Sequence, residues 1–463
     1  MIDVETQPAA RLRERLATVV ALFATHARGV PLPATTQFAL RAQLADLHPA
    51  DIAFILEALP LDERIAAWQL VKVGDDGDIL LEVSDAVRES LIADMDPHEI
   101  LAAAETMDAD ELADLVDDLP KAMLPELMAG LDAQQRAQLQ SALSYREDQL
   151  GALMDFEMVT IREDVSLEVV LRYLRRFDEL PAQTDKLFVV NQDHLLTGVL
   201  PLHWLLVNSP ERMVSEVMAP DVNTFRPDDD AHEAAQAFER YDLVTAPVVD
   251  ASGRLLGRIT IDAMVDVIRE QSESEVLSRG GLREEEDIFA SVWKSLRNRW
   301  AWLAINLMTA FVASRVISVF EGSIRELVAL AALMPIVAGI GGNSGNQTIT
   351  MIVRALALKQ ISVASARRLW RKELIVALLN GVVWGGVVGL AAWWLYDSWA
   401  LGMVMTAAMA LNLLLAAFCG VGIPMLMTRF GRDPAIGSSV LITAMTDSGG
   451  FFIFLGLATI FLV

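Results

Sequence analysis

Five long apolar segments fill the last third of this 463-residue chain and constrain its fold more than any other feature. They lie near 300–320, 327–353, 374–396, 401–427 and 437–463. Each is long enough to cross a hydrocarbon layer of about 30 Å as a helix. The sequence therefore predicts a domain of five transmembrane helices over residues 296–463.

The second segment differs from a helix that only fills a bilayer. Residues 335–350 read PIVAGIGGNSGNQTIT, with four glycines and three side-chain amides. Amides and glycine-weakened backbone at membrane depth are tolerated only where protein or a water-filled cavity satisfies them. We interpret this stretch as the wall of a polar path. A seam of small residues that packs helices together is the alternative interpretation.

The last segment, 437–463, carries one acidic residue, Asp447, near its middle. An ionised carboxylate at that depth is costly unless it pairs or faces water, so Asp447 is a functional candidate. Beside amide and carbonyl oxygens it offers the hard ligands that a small divalent cation such as Mg²⁺ prefers. The alternative is an ion pair between Asp447 and a membrane arginine such as Arg315.

Charge is distributed unevenly along the chain. The formal net charge is −25, yet residues 291–463 hold 13 Lys and Arg against 6 Asp and Glu. Residues 1–290 are therefore strongly acidic. An acidic N-terminal region argues against nucleic acid as a partner and favours cations. The alternative is that the negative charge only keeps this region soluble.

Few residues are available for covalent chemistry. The single cysteine, Cys419, excludes an internal disulfide and a cysteine-based metal site. All six histidines precede residue 291, so Asp447 has no histidine in the membrane half to act as a second catalytic group. We therefore predict that the protein is not an enzyme.

Basic residues set the expected orientation in the membrane. The loop after the second segment and the loop after the fourth are basic, whereas the Tyr396–Trp399 loop has no basic residue. The positive-inside rule then places the N-terminal 290 residues in the cytosol and the C-terminus outside. The basic loop residues are Arg354, Lys359, Arg367, Arg368, Arg371, Lys372, Arg429 and Arg432.

The N-terminal region is predicted to be helical and repetitive. Residues 1–39 are interpreted as an amphipathic segment, and residues 40–145 as stacked helical pairs that form a small superhelix. Within the second range, residues 50–60 resemble residues 110–120, and residues 96–100 resemble residues 48–52.

Residues 146–265 change character. Two copies of a β-α-β-β-α order, at about 150–210 and 214–265, resemble a tandem CBS pair. ATP is a candidate ligand, because CBS modules that bind adenosine often carry Gly-x-x-Ser/Thr-x-x-Asp. The second copy retains Gly257 and Thr260 of that motif but has Ala263 at the acidic position. A purely mechanical dimerisation module is the alternative.

The motif Gly-Gly-Asn-Ser-Gly-Asn-Gln after a membrane proline, together with Asp447, closely resembles the MgtE family of magnesium transporters. The resemblance covers nearly the whole chain. It implies a homodimer in the plasma (inner) membrane that passes Mg²⁺ passively, driven by the membrane potential. It also implies that cytosolic Mg²⁺ closes the pore through the N-terminal and CBS domains. The positions that match the pore motif are Asp447, Asn343, Asn346, Thr350, the backbone carbonyls of Gly341 and Gly342, and, one turn before Asp447, Thr443.

Residues 266–295 match the connecting, or plug, helix and linker of that family, where acidic residues bind regulatory Mg²⁺. Asp266 and Glu275 stand at matching positions, and the acidic run continues through Glu284-Glu-Glu-Asp287. A solvated charged helix is the alternative.

Three other functions remain open at this stage. A transporter of Co²⁺ or Mn²⁺ would keep the same architecture, although such metals favour the His or Cys ligands that Asp447 lacks. A CBS-containing membrane sensor would not need the polar stretch at 335–350. A membrane enzyme would need a second catalytic group.

Overall fold

The computed structural model describes residues 8–25, 32–71, 76–104, 107–116, 118–121, 123–282, 287–357, 361, 363–431, 434 and 437–463. Its contacts divide the chain into two units. The first comprises Met1–Ser272 and Glu285–Ala290, and the second comprises Glu273–Glu284 and Ser291–Val463. Five residues discussed above lie outside the described residues: Glu284, Glu285, Glu286, Lys359 and Arg432.

The first unit begins with short helices stacked in pairs. Helices α3, α5 and α7 pack in one row, α4 packs on α6, and α8 packs on α10. Val19 and Phe23 of the first helix belong to the same buried core as the rest, so the amphipathic segment is part of this domain. The helices are α1 (Pro8–Ala24), α2 (Ala34–Leu44), α3 (Pro49–Glu57), α4 (Leu61–Trp68), α5 (Asp76–Glu82), α6 (Asp85–Ile92), α7 (Pro97–Ala104), α8 (Ala109–Val116), α9 (Leu124–Gly130) and α10 (Ala133–Ala142).

A ladder of arginines reveals the repeat of this domain. Arg64, Arg88 and Arg136 each donate from Nε to the carbonyl eight residues earlier and from a terminal nitrogen to the carbonyl five residues earlier. Arg88 follows Arg64 by 24 residues and Arg136 follows Arg88 by 48, with Leu112 at the intermediate position. The unit is thus a 24-residue helix pair, and the resemblance at an offset of 48 residues spans two units.

Two arginines of the ladder complete their hydrogen bonding with carboxylates. Arg88 donates to Asp118 at 3.3 Å. Arg64, which is fully buried, forms a two-pronged ion pair with Asp287 at 2.9 and 3.2 Å. Asp287 belongs to the linker that precedes the first membrane helix, so this linker is held by the N-terminal domain.

The next region consists of two β-hairpins with helices around them. Strand β1 pairs in parallel with β2, β2 pairs antiparallel with β3, and β4 pairs antiparallel with β5. The elements are β1 (Thr160–Arg162), α11 (Leu167–Leu174), β2 (Lys186–Val190), β3 (Leu196–Pro201), α12 (Leu202–Val207), α13 (Val214–Val217), α14 (Ala231–Tyr241), β4 (Thr245–Val249), β5 (Leu255–Thr260) and α15 (Ile261–Arg279).

The two hairpins of this region are joined to each other. The amide of Leu196 donates to Gly253 at 3.0 Å, and the amide of Leu255 donates to His194 at 3.2 Å. In the second copy the first strand is reduced to an isolated parallel bridge between Phe225 and Val248. The predicted CBS pair is confirmed, and this shortened strand is its one departure from the expected order among the described residues.

The C-terminal part is a bundle of long helices. Helix α20 packs against α18, α19 and α21, and α18 also packs against α21. Their bounds are α16 (Val292–Val319), α17 (Glu321–Glu326), α18 (Ala329–Ala357), α19 (Val363–Tyr396), α20 (Trp399–Arg429) and α21 (Ser438–Phe461).

Four of these helices are long and apolar enough to cross a membrane, counted over the described residues: Val292–Val319, Ala366–Tyr396, Trp399–Arg429 and Ser438–Phe461. The prediction of five is therefore corrected to four by this criterion. Helix α18, which contains the second predicted segment, has 29 residues but is not among them. Its glycines and amides lower its hydropathy, so the motif that distinguishes the segment also removes it from the count.

Candidate functional site

Helix α18 has two chemically different faces. Gly341, Gly342 and Gly345 are buried in the bundle. Asn343 and Thr350 are exposed on the other side, and Asn346 is half-buried. Residues three, four and seven apart share one side of a helix, so the amides and Thr350 form a continuous polar stripe.

The buried glycines bring helices into close contact. A methyl group on Gly345 would lie 2.5 Å from Cγ1 of Ile442 on α21, and one on Gly341 would collide with the amide of Asn412 on α20. These two glycines therefore form a packing seam. The packing-seam interpretation therefore describes the buried face of the motif, and the polar-path interpretation of its exposed face stays a prediction. The proposed contacts of the Gly341 and Gly342 carbonyls with an ion stay predictions.

The contacts also fix the register between α18 and α21. Gly342 faces Thr446, with its added methyl 3.7 Å from the Thr446 Oγ1, whereas the later Gly345 faces the earlier Ile442. The helices therefore run antiparallel, which places Asp447 about level with Gly341 and Thr443 about level with Gly345. Asn343 and Asn346 lie within one helical turn of these levels. Asp447 is half-buried and Thr443 is exposed, so α21 adds a second polar stripe beside the first.

The polar side chains of the two stripes make few contacts with the described part of the protomer. Among the described residues, the side chains of Asn343, Asn346 and Asp447 make no hydrogen bond or ion pair, and Thr443 donates only to the carbonyl of Ser439 at 2.9 Å. The guanidinium of Arg315 lies over the Phe311 ring at 5.1 Å. The alternative pairing of Asp447 with Arg315 is therefore not formed in the described part of the chain.

Sequence reasoning missed Asn412. This residue is fully buried in α20, and its Nδ2 donates to the carbonyl of Val337 at 2.9 Å. One asparagine in an otherwise apolar helix gives no periodic signal. Its importance becomes visible only when the glycines of two other helices are seen to surround it.

A second set of charged residues lies in the first unit, around helix α8. Burial and the nearby carboxylate of Asp155 raise the pKa of Asp110 to about 8. Burial raises the pKa of Asp114 to about 6, with Arg88 opposing the increase and Asp85, Glu270 and Asp266 contributing to it. Acidic groups of the N-terminal domain, the CBS pair and the connecting helix α15 thus repel one another.

The two predicted regulatory residues differ in what surrounds them. Asp266 is exposed on α15 and pairs with Arg269 at 3.5 Å, and its charge reaches Asp114 of α8. Glu275 is half-buried further along α15, and its regulatory role stays a prediction. In the CBS pair, Thr260 is buried, and ATP binding there also stays a prediction.

We expect the docking of α8 to depend on pH in the absence of Mg²⁺. Because the pKa values of Asp110 and Asp114 are raised in the docked state, docking takes up protons and is strongest at low pH. It weakens as the pH rises from about 4 towards 8. Protease protection of the N-terminal domain in the full-length protein, followed across that range, would measure this.

The matched control for this experiment is the double variant Asp110→Asn, Asp114→Asn. It should lose most of the pH dependence, because its two side chains cannot ionise. Protection that is equally strong at both ends of the pH range in the unmodified protein would contradict the prediction.

Three family models match the chain. MgtE, a divalent cation transporter, matches residues 334–457, which include every proposed pore residue. The MgtE intracellular N domain matches residues 47–148, and the CBS domain matches residues 214–270. The apolar helices with their polar stripes, together with the N-terminal and CBS domains that precede them, therefore define a membrane transporter of divalent cations.

Two curated relatives are similar over nearly their whole length. The magnesium transporter MgtE of Thermus thermophilus is 31% identical, over 92% of this chain and 95% of that protein. The magnesium transporter MgtE of Bacillus subtilis is 26% identical, over 91% of this chain and 94% of that protein. The chain belongs to the MgtE family of magnesium transporters.

A solved structure, the cytosolic domain of the Mg²⁺ channel MgtE in complex with ATP, is 32% identical. It covers 50% of this chain and 94% of its own, with a TM-score of 0.45. This structural similarity is too limited to transfer the ATP complex to the present chain.

Proposed function

We propose that this protein is a homodimeric, passive Mg²⁺ channel whose path is lined by the polar stripes of α18 and α21. One observation carries the proposal. Asn343, Asn346, Thr443 and Asp447 lie on the exposed side of a bundle of apolar helices. In a bilayer such groups need protein or water beside them. A second protomer that faces the stripes of α18 and α21 would enclose the two stripes and the water between them.

Helix α18 crosses the membrane in this proposal, as a fifth span. Its 29 residues extend about 43 Å, more than the hydrocarbon thickness, and its amides face the path instead of lipid. With five crossings and the basic loops inside, the N-terminal domains lie in the cytosol and the C-terminus lies outside the plasma (inner) membrane.

The ion passes largely hydrated. Among the described residues, no three His, Cys, Asp or Glu side chains form a metal-binding cluster. One carboxylate per protomer is a poor cage for a bare ion, and Mg²⁺ loses water reluctantly. Two Asp447 carboxylates, one from each protomer, would attract the ion, while the Asn343, Asn346 and Thr350 side chains contact its water shell.

Cytosolic Mg²⁺ closes the channel through the acidic groups around α8. Burial, and to a smaller extent neighbouring carboxylates, raise the pKa values of Asp110 and Asp114, so their charged forms are disfavoured when the domains are docked. A divalent cation between them would offset that repulsion and favour the docked, closed arrangement. Asp266 and, further along α15, Glu275 are the proposed contributions of the connecting helix.

Growth rescue tests the function. Expression in a strain that cannot take up Mg²⁺ should restore growth at low Mg²⁺, whereas the empty vector should not. A transporter of Co²⁺ or Mn²⁺ would instead increase sensitivity to those metals without restoring growth. A protein that reaches the membrane and does neither would be a sensor, and the proposal would be wrong.

A further inference from the structure

We propose that Asn412 is a positioning residue that sets the spacing of α18 and α21 behind the ion path. Mg²⁺ selectivity then depends on a side chain that does not contact the ion. This inference rests on the proposed transport function. It concerns the packed interior of the bundle, where Gly341, Asn412 and Gly450 come together.

The carboxamide of Asn412 is enclosed by glycines from both path-lining helices. A methyl group on Gly341 of α18 would collide with Nδ2 and lie 3.0 Å from Cγ of the Asn412 side chain. A methyl group on Gly450 of α21 would lie 2.7 Å from Nδ2 and 3.1 Å from Oδ1. Any side chain larger than glycine at either position would therefore displace the carboxamide.

The hydrogen bonding of Asn412 is directional. Its Nδ2 donates to the Val337 carbonyl of α18 at 2.9 Å, whereas its Oδ1 is buried without a partner among the described residues. A buried acceptor without a partner costs about 1–3 kcal/mol, so an apolar side chain of similar size would fill this place with less penalty. The hydrogen bond from Asn412 to Val337 is therefore better explained by the position it gives to α18 than by any gain in stability.

That geometry is transmitted to the polar stripes by short stretches of helix. Gly341 precedes Asn343 by two residues, and Gly450 follows Asp447 by three. A change in the contact at Asn412 therefore shifts the backbone of both residues within less than one helical turn. Selectivity for a hydrated ion depends on the width between such groups, so a small shift alters which ion fits.

The test combines substitutions on both sides of the contact in the full-length protein. The variants are Gly450→Ala, Asn412→Ala, the double variant, and the nearly isosteric Asn412→Asp. Uptake of Mg²⁺ and of Ca²⁺ is measured at matched membrane abundance. The ratio of the two uptake rates is the decisive readout, because a loss of folded protein lowers both rates and leaves the ratio unchanged.

Gly450→Ala alone should reduce Mg²⁺ uptake by at least about tenfold, in line with the effect of overpacking a well-packed core. Adding Asn412→Ala should restore most of the uptake, because it removes the atoms that the new methyl group meets. The Mg²⁺ to Ca²⁺ ratio should stay at least about threefold below that of the unmodified protein, because the bond to Val337 is lost.

Asn412→Asp retains the shape but replaces the amide donor with a carboxyl group, so it should lower the ratio as well. An unchanged ratio in Asn412→Ala and Asn412→Asp would overturn the inference while leaving the transport function intact. An unmodified protein that takes up no Mg²⁺ would instead overturn the proposed function.

Discussion

Replacing Asp447 by asparagine is expected to lower Mg²⁺ uptake by at least about 100-fold, since two unit charges about 5 Å apart interact by about 3 kcal/mol at an effective dielectric constant of 20. A divalent ion doubles that interaction, and a homodimer would lose two carboxylates at once. The asparagine keeps the size of the side chain, so the packing of α21 should not change. Uptake into cells, at matched membrane abundance, measures the effect.

The matched control is Asp397→Asn in the short loop between α19 and α20. Asp397 has a φ of 49°, a left-handed conformation that asparagine adopts readily. This variant should transport Mg²⁺ as the unmodified protein does. Full uptake and growth rescue by the Asp447→Asn protein would remove the carboxylate from the path and leave only the family assignment.

Deletion of residues 1–145 is expected to raise the Mg²⁺ concentration that half-inhibits uptake by at least about tenfold, which corresponds to about 1.4 kcal/mol of coupling between regulatory and transport sites. The deletion removes Asp110 and Asp114 and so removes the carboxylates that α8 presents to Asp155 and Asp266. Without them, Mg²⁺ has no docked arrangement of α8 to stabilise.

Uptake at low Mg²⁺ should survive this deletion, because the membrane helices have buried cores of their own. The shortened protein carrying Asp447→Asn in addition serves as the control and should take up little Mg²⁺, which would show that the ion uses the same path. An unchanged half-inhibiting concentration would exclude the N-terminal domain from gating.

Local chemistry explains what could be predicted from the sequence. The two β-hairpins follow from short β-type runs separated by turns, and the membrane helices follow from uninterrupted apolar length. The stretch at 335–350 was predictable as exceptional because three amides and four glycines stand within one apolar segment. Each of these signals lies within a few neighbouring residues of the chain.

The features that could not be predicted depend on contacts between distant segments. That Gly341 and Gly345 form a seam while Asn343 faces outward depends on which side of α18 meets α20 and α21. Asn412 is an ordinary polar residue until Gly341 and Gly450 are found on either side of it. The partner of Arg64 lies 223 residues later in the chain, and no periodicity connects the two.

The ion pair between Arg64 and Asp287 makes the linker a structural component of the N-terminal domain. Arg88 pairs with the carboxylate of Asp118, thirty residues later in the chain. The corresponding residue for Arg64, Asp94, instead accepts a hydrogen bond from Gln69 at 3.0 Å. Asp287 is the residue that pairs with Arg64 instead of Asp94, and it lies five residues before α16 begins.

The linker that leads into α16 is therefore fastened to the N-terminal domain at Asp287. A force on the linker at Asp287 would act on α4 through Arg64. Unfolding of the helix pair that contains Arg64 would free the linker from this ion pair. The free energy of unfolding of this domain is then coupled to the attachment of the linker, because the ion pair between Arg64 and Asp287 contributes to both.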